Sequence, residues 1–257
     1  MSKALACLAA LSAGIMSLLV PAGDVRANTV VRFTVNAQLN TANGPINGFD
    51  LELFDDAAPV TVANFLRYVQ DGRYTGTIIH RDVFNFVMQG GGYVPVSNGQ
   101  FVASLDPIPT YGTIVNEFDP SRSNLYGTVA MAKVGGDPNS ATSEWFVNLG
   151  DNSANLDAQN GGFTVFGQVI GNGMTLIEAV DSVGAYNLNE YYDPSYAARV
   201  AADPVNGPNE GPFAEVPLFN NGNTFFVVNS VSIVPEPGAL GLAGAGVLAL
   251  AARRRRR

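Results

Sequence analysis

Hydrophobic and polar positions alternate from Val30 onward. Val31, Phe33 and Val35 fall on one side and Arg32, Thr34 and Asn36 on the other, the period of a half-buried strand. The stretch Asn43-Gly44-Pro45-Ile46-Asn47-Gly48 reads as a turn, and Phe49 to Phe54 as the returning strand of a hairpin. The pattern then changes to a helical one. Pro59 opens it, Val62, Phe65, Leu66 and Val69 recur on one face, and Gly72 closes it. Ile78 to Gly92 (IIHRDVFNFVMQGGG) returns to strand character, but it carries Arg81 and Gln89 where a plain core strand has no use for polar groups.

Further on, residues 93 to 126 read as loop with short strands. Val129 to Lys133, Trp145 to Val147 and Phe163 to Ile170 read as strands. A second helix follows, with Met174, Ile177, Ala179 and Val180 apolar. Residues 184 to 223 are rich in Asn, Pro and Tyr without periodicity and read as a long surface insertion; Thr224 to Val234 closes the body as a strand. Many short strands and two helices predict a mostly β protein, a closed antiparallel barrel with helices at its ends.

The two termini differ from this body. Residues 1–27 have the form of a secretory signal peptide: Lys3, an apolar run from Ala4 to Val20, and Val25-Arg26-Ala27 as a small-residue cleavage site. Residues 235–257 pass from Pro-Glu-Pro through an apolar Gly/Ala/Leu run to Arg253–Arg257. The run from Gly238 to Ala252 would rise about 22 Å as a helix, short of a ~30 Å hydrocarbon core, and the arginines would stay on the cytoplasmic side. The body between, 28–234, is one domain containing the insertion.

Charge sharpens the picture. The net value of −8 includes seven of the 14 basic residues (Lys3, Arg26 and Arg253–Arg257) but only Asp24 and Glu236 of the 22 acidic ones in the termini. The central part is therefore near −13, which argues against nucleic acid as a partner. Cys7 is the single cysteine, so the body holds no disulfide, thiolate metal site or cysteine nucleophile. The acidic residues Asp50, Glu52, Asp55 and Asp56 lie on and beside a strand and read as a solvated face, not a metal site.

Four segments in order carry a resemblance. HRDVFNFVMQGGG resembles the FHR-x-x-x-x-F-x-x-QGG signature of cyclophilin-type peptidyl-prolyl cis-trans isomerases. GTVAMA resembles the strand lining the proline pocket, SEWFVNL the S-Q-F-F-I pattern, and NLDAQNGGFTVFGQVI the closing L-D-x-x-x-x-V-F-G-x-V segment. The resemblance spans about residues 30–234 and implies an eight-stranded closed antiparallel barrel capped by two helices, with no cofactor. It implies Arg81 and Gln89 as catalytic residues. Phe86, Val87, Phe146 and Leu156 become the socket for the proline ring, with Ala132, Lys133, Glu144 and Phe163 as further substrate-binding positions.

Departures are visible in the same segments. Glu144 stands where the family usually has a glutamine; a carboxylate cannot donate as the amide does, and it either weakens the substrate contact or pairs with Arg81. Lys133 replaces an asparagine at a position that acts through its backbone. Asn155 stands where many members have tryptophan, and Phe163 near the pocket histidine, which weakens the match to a cyclosporin-binding surface. His80 reads as a packed or surface imidazole beside the arginine, not a base.

The tail, Val234-Pro235-Glu236-Pro237 onward, resembles a PEP-CTERM sorting signal, which implies an exosortase-type processing enzyme, a membrane contact through the C-terminal segment and a periplasmic, surface or matrix destination in a bacterium; an ordinary uncleaved anchor is the other reading. The expected activity is rotation of X-Pro bonds in proline-containing segments of exported proteins. A catalytically weak proline-peptide binder, or a structural surface protein on the same scaffold, is the alternative.

Overall fold

A computed structural model describes residues 27–235 apart from 204, 207, 208 and 221. The leader and the sorting tail therefore lie outside the described residues, except for Ala27 and Pro235. The opening alternation forms β1 (Val30–Thr41), which pairs antiparallel with β2 (Gly44–Leu53). The hairpin is longer than its sequence suggests. The chain turns at Ala42-Asn43, with Gly44 at φ +107°, and Ile46 pairs with Leu39 inside the ladder. Gly48 also belongs to the strand, because a Cβ there would fall 2.1 Å from the Phe33 carbonyl oxygen.

Helix α1 (Pro59–Gln70) starts on proline and has no capping side chain of its own. Its first free N–H groups, on Val60 and Thr61, donate instead to the Glu117 carboxylate at 3.1 and 2.7 Å, so a distant loop supplies the negative group that this end favours. The chain continues through β3 (Ile79–Val83), β4 (Val87–Gly90), β5 (Tyr93–Ser97), β6 (Val102–Pro107), β7 (Thr128–Met131) and β8 (Trp145–Asn148). A four-residue α2 (Ser153–Leu156), β9 (Val165–Ile170) and α3 (Gly173–Asp181) follow. Eight strands make one antiparallel sheet in the order β13-β1-β2-β9-β7-β8-β4-β3, where β13 is Val228–Val234. The sheet curls until its edges meet. Closure is made by an isolated bridge, Ile78 to Val227, and by three backbone hydrogen bonds of 2.7–3.0 Å between residues 76–79 and 226–228, not by a full ladder.

Strand pleating divides the side chains of this sheet between two hydrophobic clusters. Met88, Val129, Met131, Trp145, Val147 and Phe166 point into the main core, where Phe33 stacks on Phe49 at 4.9 Å and Trp145 meets Phe33 edge-on at 5.1 Å. The residues between them, Val87, Ala130, Phe146 and Val165, point outward and form a second cluster with Leu156, Phe86 and Phe163.

Residues 184–223 differ from the surface excursion expected. Among those described, β10 (Ala185–Tyr186) and β11 (Val216–Phe219) form a small sheet with β12 (Thr224–Phe225), the first residues of the expected closing strand, and α4 (Asn189–Tyr192) and α5 (Tyr196–Ala202) bracket a turn. Phe213, Val216 and Leu218 are buried against Ile78, Leu105 and Tyr93, making a third cluster that joins the insertion to the β5–β6 hairpin. Asn189 is fully buried and accepts from the Phe213 backbone N–H at 3.0 Å. Elements of two to seven residues carry too few apolar positions to show a period, which is why the sequence looked structureless. Phe213→Ala should therefore destabilise the whole protein by about 3 kcal/mol in urea unfolding, the cost of emptying a packed aromatic site; a loss below ~1 kcal/mol would mean that the insertion is only loosely attached.

Candidate active site

Strand register brings the site together. Arg81 pairs with Gln89 across β3–β4, Gln89 with Phe146 across β4–β8, Phe146 with Ala130 across β8–β7, and Ala130 with Val165 across β7–β9. These five residues form one row across the sheet, from a guanidinium through an amide to an apolar floor. Phe163 meets Phe146 edge-on at 5.8 Å. The row underlies a cavity of about 220 Å³ lined by Arg81, Phe86, Val87, Gln89, Ala132, Lys133, Phe146, Leu156, Gln159 and Phe163. Nine of the ten residues singled out from the sequence thus share one small cavity. Glu144 lies outside it, in an adjoining recess of about 130 Å³ that also touches Gln89, Ala132 and Lys133.

Two glycines shape the neighbourhood. Gly91 has φ +83°, and a Cβ on it would meet the Ser143 carbonyl and the Trp145 indole at 2.8 Å; one on Gly92 would meet the Glu144 carboxylate at 2.7 Å. The glycine run lets the chain leaving β4 pass directly over the start of β8.

The cavity wall is held by a buried amide network that the sequence reading missed. Asn152 Nδ2 donates to the Phe86 carbonyl and to Asn148 Oδ1, both at 2.8 Å. Asn148 Nδ2 donates to Asn124 Oδ1 at 3.2 Å, and Asn124 Nδ2 donates to Asp157 Oδ1 at 2.8 Å and to the Phe163 carbonyl at 3.0 Å. The backbones bearing Phe86 and Phe163, which both line the cavity, are therefore tied together through polar groups with partners. Asn148, sitting just after Trp145-Phe146-Val147, was the available signal: an amide in so apolar a run needs a network. Lys133 contributes similarly. Its Nζ donates to the carbonyls of Asn160 and Gly162 at 2.7 and 2.6 Å and lies 4.6 Å from the Phe163 ring centre. Burial pulls its pKa below the ordinary value, although Asp137 works the other way.

Glu144 does not pair with Arg81. Its Oε2 accepts from Gln89 Nε2 at 2.6 Å and from His80 Nε2 at 3.2 Å. Burial pushes its carboxyl up, but the hydrogen bond and charge of His80 and the hydrogen bond from Gln89 outweigh this and hold it below the ordinary value. His80 is accordingly a packed side chain, 2% exposed, edge-on to Tyr93 at 4.9 Å. Arg81 takes its carboxylate from the insertion: Nε donates to Glu215 Oε2 at 3.1 Å, with the two side chains 34% and 40% exposed. No local pattern could have revealed a pair that crosses 134 residues.

A larger groove of about 640 Å³ lies behind β3, lined in part by Asp82, Asp181 and Glu215. Three carboxylates make it acidic, whereas the smaller cavity has an apolar floor beside the Arg81 guanidinium, so the smaller one suits a peptide ring. Asp82 is 4% exposed and its Oδ1 has no partner; burial, then Asp181 and Glu215, raise its pKa from 3.8 to about 7.

Comparison with known proteins gives a consistent picture. The family described as cyclophilin type peptidyl-prolyl cis-trans isomerase/CLD matches residues 36–200, and the PEP-CTERM protein-sorting motif matches residues 234–257. A peptidyl-prolyl cis-trans isomerase of Acinetobacter baylyi is 35% identical over 158 residues, covering 61% of this chain and 74% of that protein. Another from Streptomyces antibioticus is 41% identical over 150 residues, covering 57% and 82%. In fold, the chain is similar to a crystal structure of a cyclophilin-type isomerase from Cryptosporidium parvum, with a TM-score of 0.53, 20% identity and coverage of 82% of this chain and 99% of that one.

The buried Asp82 makes a pH-dependent prediction. Its native pKa lies above the unfolded one, so the native state holds the extra proton between about pH 4 and 7, and stability falls as pH rises through that window. The penalty is complete above about pH 7 and is worth at most roughly 4 kcal/mol. Asp82→Asn removes it. The variant's gain in urea unfolding should be roughly 2–3 kcal/mol larger at pH 8 than at pH 5; an equal gain at both would mean that Asp82 ionises normally.

Proposed function

Since this chain belongs to the cyclophilin-type peptidyl-prolyl cis-trans isomerases and ends in a PEP-CTERM protein-sorting motif, we propose that it turns X-Pro bonds in exported polypeptides, with Arg81 as the catalytic donor. The observation that supports this reading most directly is the row Arg81–Gln89–Phe146–Ala130–Val165 beneath one small cavity. At about 220 Å³ the cavity is below the range of sites that enclose a whole small molecule, and it suits a single ring.

The chemistry asks for little more. The barrier to rotation is ~18–20 kcal/mol because the nitrogen lone pair is shared with the carbonyl. As the bond twists, that sharing is lost and the nitrogen becomes a hydrogen-bond acceptor. Phe86, Val87, Phe146, Leu156 and Phe163 hold the ring, while Arg81, beside this dry wall, donates to the nitrogen in the twisted state only. A donor fixed where charge develops lowers the barrier without any proton transfer or covalent step. The guanidinium stays charged at any working pH and its planar fork has a defined direction. Gln89, hydrogen-bonded to Glu144, serves as a fixed amide between the donor and the ring site. The exported proteins whose folding it assists supply the substrate, and an exosortase-type enzyme processes its tail at the cell surface.

Two measurements test this. Exchange between cis and trans forms of an Ala-Pro-Phe peptide, followed by NMR, should be accelerated by the purified protein, and Arg81→Ala should lose about 10²–10³-fold in kcat/KM while peptide affinity changes by only a few fold. A well-folded wild-type protein without acceleration would leave a binding or structural role. For the tail, mass spectrometry of surface-extracted protein should find the mature form without Arg257; its retention would count against processing.

A further inference from the structure

The insertion meets the active site at one residue, and we propose that this residue, Glu215, positions Arg81 for catalysis. The inference rests on the isomerase function proposed above. Arg81 Nε donates to Glu215 Oε2 at 3.1 Å. A guanidinium is planar, so fixing Nε fixes the plane and direction of the two terminal amino groups, which have no acceptor among the described residues and are the donors left for a bound peptide.

Glu215 is itself held in place. Its carbonyl accepts from the Asp82 N–H at 2.7 Å, which docks the insertion on β3 one residue beyond the arginine. Val216, the next residue, is fully buried and pairs with Tyr186, and Phe213 is buried two residues before. The carboxylate thus stands on a clamped backbone. Glu144, the partner the sequence offered for Arg81, is bonded instead to Gln89 and His80. Without Glu215, the guanidinium has no side-chain acceptor among the described residues. The family match ends at residue 200, before Glu215.

Both side chains are over one-third exposed, so the pair adds little to stability and removing it leaves the fold intact. Its effect is on geometry, and misplacing a catalytic group costs rate, not binding. The competing possibility is a brake, in which the carboxylate neutralises the arginine and its removal speeds turnover.

The experiment uses the full-length protein and its Glu215→Gln, Arg81→Ala and doubly substituted forms, with the Ala-Pro-Phe peptide as probe. Glu215→Gln should lower kcat about 5–10-fold with KM within twofold and thermal unfolding unchanged. In the Arg81→Ala background the same change should have no further effect. Adding 0.5 M salt should slow wild type towards the Glu215→Gln rate and leave that variant unaffected. An unchanged or faster Glu215→Gln, or an equal loss in the Arg81→Ala background, overturns the proposal while the isomerase reading stands. An inactive, folded wild type overturns both. The NMR signal of the Arg81 Nε–H then separates the causes: a shift on Glu215→Gln shows that the pair exists without activity to serve.

Discussion

Everything in this molecule depends on the two-residue period of a β-strand. Because successive side chains point to opposite faces, β4, β7, β8 and β9 each feed two clusters at once. Trp145 and Val147 anchor the interior, and Phe146 between them is delivered to the outside with no freedom of its own. The cavity floor is therefore the reverse side of the core. A slip of one residue in the β4–β8 register would bury Gln89 and expose Met88, losing core and site together. The geometry of the cavity is guarded here by the same energy that holds the protein folded.

Electrostatics around the arginine follows a division of labour. An acidic body places several carboxylates near Arg81, and each is handled differently. Glu144 is kept ionised by His80 and Gln89 and tied back from the arginine. Asp82, on the adjacent position of the same strand, is buried with its Oδ1 unpartnered among the described residues and drifts towards neutrality. Among the described residues, Glu215 alone reaches Nε. One cation thus meets one carboxylate, and the cavity beyond keeps a net donor character although the chain is strongly acidic.

How far the sequence could be read divides along the same line. Whatever is local was legible: the alternation of β1, the Pro59 start of α1, the row of pocket residues carried by short words in order. Chain pairing was legible only through resemblance, and it gave eight antiparallel strands, although closure rests on one bridge, Ile78 to Val227, and a few backbone hydrogen bonds beside it. The hairpin turn was misplaced because Gly48 looked like a turn residue, when it is needed for a close approach to Phe33. The insertion was opaque. Its Phe213, Val216 and Leu218 carry no period, and neither the Arg81–Glu215 pair nor the Asn124–Asn148–Asn152 network leaves a spacing in the chain.

One pairing has a temporal side. Val30 at the start of β1 lies opposite Val234 at the end of β13, and the sorting motif begins at that same residue. During synthesis from the N-terminus, β1 has β2 beside it early but waits for its other neighbour until the final body residues have emerged. The sheet cannot be completed before the sorting segment begins to follow. Long-range pairing of this kind is slow and leaves an unpaired edge in the meantime. The residues that complete the sheet beside β1 are thus the last of the body to be made, and the sorting motif follows them without a spacer.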